Sequence, residues 1–165
     1  MTVTIDRLRD LVVARANPVS VRHSLRTAAI AVVSYLVAEL FGLPEAYWAA
    51  ITTLIVAQSA ETALPVSAQY FAGTAVGAAA GGWAGAWFPG NVLVFGACIL
   101  GIGVIFTPLR LERSAYRYAI TTLAIVMLPS LHNGWGTALH RFLEVSAGIA
   151  VGLAINAVWP ERRPE

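Results

Sequence analysis

Two charges stand inside an otherwise apolar stretch, Arg141 and Glu144, in the run HRFLEVSAGIAVGLAINAVWP. Three residues apart on a helix, they share nearly one face. In hydrocarbon a charge costs at least ~2.5–3.5 kcal/mol, so both must face protein or a water-filled cavity. Two readings of the pair stand. One is a structural ion pair that ties its helix to a neighbour. The other is an anion-attracting guanidinium, with Glu144 as the titrating group that a coupled exporter needs and a passive channel does not.

Thr52, Thr53, Thr121 and Thr122 are the other polar groups near mid-depth of apolar segments. Their hydroxyls either bond back to their own helix or offer donors to a carboxylate. Arg26 and Arg117 lie near segment ends, where such side chains snorkel to lipid headgroups. Turned inward, they would instead concentrate anions at a cavity mouth. Tyr47, Trp48, Tyr116 and Tyr118 cluster at segment starts, as interface anchors or as stacking surfaces for an aromatic substrate. His23, His132 and His140 lack metal-ligand spacing, and Cys98 is the sole cysteine, so neither a metal centre nor a disulfide framework is expected. The absence of GxSxG, HExxH, Walker and dinucleotide motifs leaves nothing that points to an enzyme or a cofactor.

The elements that must position these residues follow from composition. The chain has 165 residues, 58% hydrophobic and 12% charged, with a mean hydropathy of +0.69. A soluble domain carries roughly 25% charged residues, so the expected class is an all-α integral membrane protein. A net charge of +2 is too small for a nucleic-acid partner; lipid is the partner expected from composition. Residues 1–18 pattern as an amphipathic interfacial helix, with Ile5, Leu8, Leu11 and Val12 on one face. Residues 19–160 form a six-span domain and residues 161–165 a tail. The spans read as roughly 22–42, 46–59, 67–88, 91–107, 115–130 and 137–159, with turns between them, including one from Glu61 to Pro65. Six crossings put ten of the eleven arginines on one side, which by the positive-inside rule makes both termini cytoplasmic.

An internal repeat organises the spans. Residues 46–54 read AYWAAITTL and residues 115–123 read AYRYAITTL, so the second and fifth spans align at an offset of 69. The third and sixth align at 71: Gly73, Gly77, Gly81 and Gly85 match Glu144, Gly148, Gly152 and Asn156. Small residues at this spacing let another helix approach closely, and helix packing is the reading of Gly73, Gly77, Gly81, Gly85, Gly148 and Gly152. An odd number of spans per copy turns the second copy upside down. Such inverted repeats are common in transporters, where the substrate sits between them.

In order and spacing these segments resemble the fusaric acid resistance or aromatic acid exporter family, membrane portion only. The likeness rests on SLRTAAIAVVSYLVA, YWAAITTLIVAQ, FAGTAVGAAAGG and the final Arg-x-x-Glu-x-x-x-Gly span, and covers about Arg22 to Pro160. It implies proton-driven efflux of aromatic carboxylates across a bacterial inner membrane, with small organic anions as partners. A passive anion channel resembling plant malate channels, or a non-transporting partner subunit, are the alternatives. Arg26, Gly73, Thr74, Gly77, Arg141, Glu144 and Gly148 match the family's motif positions, whereas Tyr70 stands where many relatives carry Arg. Larger relatives hold two such units, which implies a homo-oligomer here, a dimer ahead of a trimer.

Overall fold

The computed structural model describes residues 21–56, 60–109, 112–129 and 134–159. The expected amphipathic helix of residues 1–18 and the tail of residues 161–165 lie outside them. Among the described residues there are six helices: α1 Val21–Leu40, α2 Tyr47–Val56, α3 Ala60–Trp87, α4 Val92–Phe106, α5 Arg113–Met127 and α6 Gly134–Val158. No strand occurs among them, so the all-α expectation holds.

Local chemistry sets most of the ends. After α1 the chain turns at Gly42, whose φ of 68° is open to a residue without a Cβ. The Gly42 and Leu43 N–H groups donate back to the Glu39 and Ala38 carbonyls at 2.9 and 3.1 Å, closing the helix end. Asn91 caps α4, its side-chain oxygen accepting from the N–H groups of Leu93 and Val94 at 3.0 and 3.2 Å. One boundary corrects the sequence reading: the expected turn from Glu61 to Pro65 is helical, and Pro65 lies inside α3. Pro65 stands past the first turn, so α3 gives up one backbone hydrogen bond there and continues through it.

Among the described residues one helix, α6, is by length and composition long and apolar enough to cross a membrane, with a mean hydropathy of 1.5 over its best window. The apolar helices α2 and α4 are shorter; at ten residues, α2 rises only about 15 Å.

Packing interleaves the two halves. Along α3, a Cβ on Gly73 would strike the Ala115 carbonyl, one on Gly77 would meet that of Ala119, and one on Gly81 would lie 2.9 Å from Val126 Cβ. The partners advance together, so α3 and α5 run in the same direction. Likewise Gly148 faces Ala49 and Thr52 while Gly152 faces Val56, so α6 runs alongside α2. In contrast, Phe71 meets Phe142 at 5.1 Å while Gly82 meets Trp135 and Ala138, so α3 and α6 run opposite ways. Ala49, Ala115 and Ala119 are wholly buried at these crossings because nothing larger fits. Gly85 departs from the expected stripe: its nearest neighbours are at 3.6–3.7 Å, ordinary contact rather than close approach.

Burial also corrects the repeat register in α2 and α5. The outward–inward sequence of Ile51, Thr52 and Thr53 recurs at Thr121, Thr122 and Leu123, and that of Val56 at Val126. The structural offset there is therefore 70, one more than the matching letters give. In α3 and α6 the buried positions Tyr70, Gly73, Gly77 and Gly81 recur at Arg141, Glu144, Gly148 and Gly152, at the expected 71.

Candidate functional site

The first turn of α2 and the middle of α6 build the site. The Arg141 guanidinium carbon lies 3.4 Å from the centroid of the Trp48 ring, a cation–π contact whose strength rises as water is excluded. Trp48 is itself held: its indole N–H donates to the Glu45 carboxylate at 2.9 Å. The Glu45 backbone N–H in turn donates to one carboxylate oxygen of Glu144, again at 2.9 Å. The circuit closes weakly, because the other Glu144 oxygen is 3.9 Å from Arg141 Nη1, within ion-pair reach but beyond a hydrogen bond. Arg141 and Glu144 are 2% and 1% exposed.

Buried polar atoms ordinarily find partners, and a charged one left without costs more than a neutral one. Arg141 Nε and Nη1 and Glu144 Oε2 have none. Neither do the hydroxyls of Ser67 and Thr74, which flank Tyr70 on the buried face of α3. Tyr70 and Tyr118 pack ring against ring at a 44° tilt, with centroids 4.1 Å apart, and the Thr52 hydroxyl reaches the Tyr70 oxygen at 3.5 Å, the edge of bonding distance. At the structural offsets, Tyr118 corresponds to Trp48 and Tyr70 to Arg141. Phe71 and Phe142, which also correspond, touch each other, with ring centroids 5.1 Å apart.

The other predicted residues separate into groups. Thr52 is buried, with its Cβ against Gly148. Thr53 is committed to the scaffold, paired with the Ser34 hydroxyl at 2.6 Å and within 2.8 Å of the Ala49 and Gly148 carbonyls. Thr122 is buried against Gly77. Thr121 does not join it: the side chain is exposed and donates back to the Arg117 carbonyl at 2.8 Å. Thr52 thus corresponds to Thr122, and the two pairs expected from the sequence are not equivalent.

Arg117 is exposed and Tyr47 is 48% exposed, its ring 5.4 Å from that of Trp48. Tyr116 lies toward α4, donating to the Ile99 carbonyl at 3.3 Å and packing on Phe106. Arg26 does not snorkel. It is 3% exposed, and it donates to Asn156 Oδ1 at 2.6 Å and to the Trp159 carbonyl at 3.2 Å. This fastens the start of α1 to the end of α6, where carbonyls lack helical partners and a cation is favoured. Glu45 and Ser67 were missed by sequence reasoning. Glu45 reads as a turn residue, and Ser67 shows itself only as one more position on the inward face of α3. Among the described residues, no group of three His, Cys, Asp or Glu could hold a metal ion.

No curated protein and no solved structure matches the chain. The pattern of the fusaric acid resistance protein-like family matches residues 31–155, from α1 to near the end of α6, taking in Trp48, Tyr70, Arg141 and Glu144. That family has a membrane transport-related role. With this match running through every helix that builds the site, the chain belongs to the fusaric acid resistance protein-like family.

Proposed function

We propose that the protein is a membrane transporter of organic carboxylate anions, with its substrate site between two inverted three-helix repeats. The observation that carries the reading is Arg141, a 2% exposed cation with two donor nitrogens unclaimed by protein. A carboxylate fits such donors with charge-assisted hydrogen bonds. The Trp48 ring and the Tyr70–Tyr118 stack beside it favour an aromatic or otherwise apolar body on the anion. The opposed directions of α3 and α6 support the inverted arrangement.

Glu144 supplies the coupling group. Ionised, it shares the Arg141 field with any substrate; protonated, it leaves that field to the incoming anion. Occupancy of Arg141 by an anion is thereby coupled to the protonation state of Glu144, which makes flux sensitive to the pH gradient. Leu25, Val32 and Leu36 on α1 and Leu93, Leu100 and Val104 on α4 are exposed apolar side chains suited to lipid or to a second copy. In this reading the six helices cross a bacterial inner membrane with both termini in the cytoplasm, and copies associate, as a dimer before a trimer.

Reconstitution into liposomes with an imposed pH gradient tests the reading, with benzoate as the probe. Benzoate flux should follow the gradient, and Arg141→Ala should abolish it while the protein stays folded and inserted. Unfolding of that variant would instead support a purely structural ion pair. Flux indifferent to the gradient and tolerant of Glu144→Gln would replace the carrier with a passive channel. Absence of flux, with a stoichiometric partner co-purifying, would leave only a non-transporting subunit.

A further inference from the structure

Arg141 and Glu144 are close enough to form a tight ion pair, yet they stand 3.9 Å apart with donors and an acceptor unused. Nothing in the i, i+3 spacing forces this, since such pairs ordinarily meet on a helix face. Both partners of the pair are engaged, directly or through Trp48, by a single residue of the α1–α2 turn. Glu45 acts through two different groups: its backbone N–H engages Glu144, and its carboxylate engages the Trp48 indole on which the guanidinium lies. One residue thus draws the carboxylate off and fixes the platform that holds the cation.

We propose that Glu45 is a positioning residue that keeps Arg141 open to an anion by preventing its collapse onto Glu144. The inference rests on the assignment of Arg141 as the anion-binding group. Glu45 touches no substrate in this scheme; it acts through Trp48 and Glu144. A carboxylate this near a cation should, as a bare charge, weaken anion binding. Positioning demands the opposite sign. Removing the side chain frees Trp48, Arg141 leaves its platform, and the ion pair closes.

That opposition makes the test decisive. The readout is the half-saturation concentration for benzoate flux in proteoliposomes, measured separately from maximal flux. Glu45→Ala should raise half-saturation about tenfold with maximal flux little changed, the ~1.4 kcal/mol of a tenfold change. Glu45→Gln keeps an oxygen acceptor for the indole and discards the charge, so it should bind benzoate no more weakly than the native protein. Adding Glu144→Gln to Glu45→Ala removes the coupling group, so this double variant is read by equilibrium benzoate binding to the purified protein in detergent. Its affinity should return to within about threefold of native, because no carboxylate remains to capture Arg141. Trp48→Phe keeps a ring and lacks the N–H; it should behave as Glu45→Ala does and be rescued the same way, which covers the case of an unstable alanine variant.

Tighter binding in both Glu45 variants would show a mere charge effect and overturn the proposal. So would an unchanged Glu45→Ala, or a weakened one that Glu144→Gln fails to rescue. Failure of the underlying assignment looks different: Arg141→Ala would then transport benzoate as the native protein does.

Discussion

The Trp48–Arg141 pair and the Tyr118–Tyr70 pair occupy corresponding places, yet one is charged and the other neutral. Both are set by the same device, a glycine on the long helix seated against an alanine of the short one: Gly148 on Ala49, Gly77 on Ala119. The backbone arrangement is therefore shared, and the chemistry is not. Glu144 sharpens the contrast. Its counterpart is Gly73, packed against the Ala115 carbonyl, so one half uses the position for helix approach and the other for a carboxylate. Repetition builds the frame, and departures from repetition mark the site.

Function gives the largest expected break between the halves. Arg141→Tyr, which makes the two stacks alike, should abolish benzoate flux in proteoliposomes. Tyr70→Phe, which loses only a hydroxyl contact at 3.5 Å, should leave flux within about threefold. Equal sensitivity of the two stacks would mean that the charge difference is incidental.

Stability should divide along the shared frame instead. Gly148→Leu and Gly77→Leu should each prevent assembly of a folded bundle, because a Cβ at Gly148 would already lie 2.5 Å from the Ala49 carbonyl and overpacking of even a few methylenes costs about 1–3 kcal/mol or more. Thermal unfolding in detergent checks this, and a native-like melting profile for either variant would show that the grooves are loose. Thr53→Val is a smaller intervention. It strands the Ser34 hydroxyl and should cost about 1–3 kcal/mol. Smallest is Gly85→Ala, where the added Cβ finds neighbours at 3.6–3.7 Å; relief of glycine's helix penalty should stabilise by about 0.5–1 kcal/mol. Destabilisation there would return Gly85 to the tight stripe.

Much of this frame was legible in the letters, since helix packing writes itself as periodic glycine. Gly73, Gly77 and Gly81 of α3 and Gly148 and Gly152 of α6 were legible from spacing alone, and so were Arg141 and Glu144, because charges in apolar runs are conspicuous; the same spacing over-reads Gly85. The register of α2 against α5 was not. Identical letters align Thr52 with Thr121, but burial depends on how each helix is rotated against its glycine groove, and that rotation places Thr121 outside. Arg26 misled for a related reason. Near a segment end a long cation has an exit to solvent, and only the antiparallel seat of α1 on α6 shows that Asn156 and the last carbonyls take it instead. Glu45 acts partly through its backbone, and a backbone N–H has no signature in sequence.

Interleaving has a temporal side. The Thr53 hydroxyl bonds the Gly148 carbonyl across 95 positions of chain, so α2 is made long before α6 arrives to cover it. At synthesis rates of about 5–20 residues per second the wait is roughly 5–20 s. During that interval a ten-residue helix must be sheltered by α1 and by its smaller contact with α3, or by whatever machinery receives the nascent polypeptide.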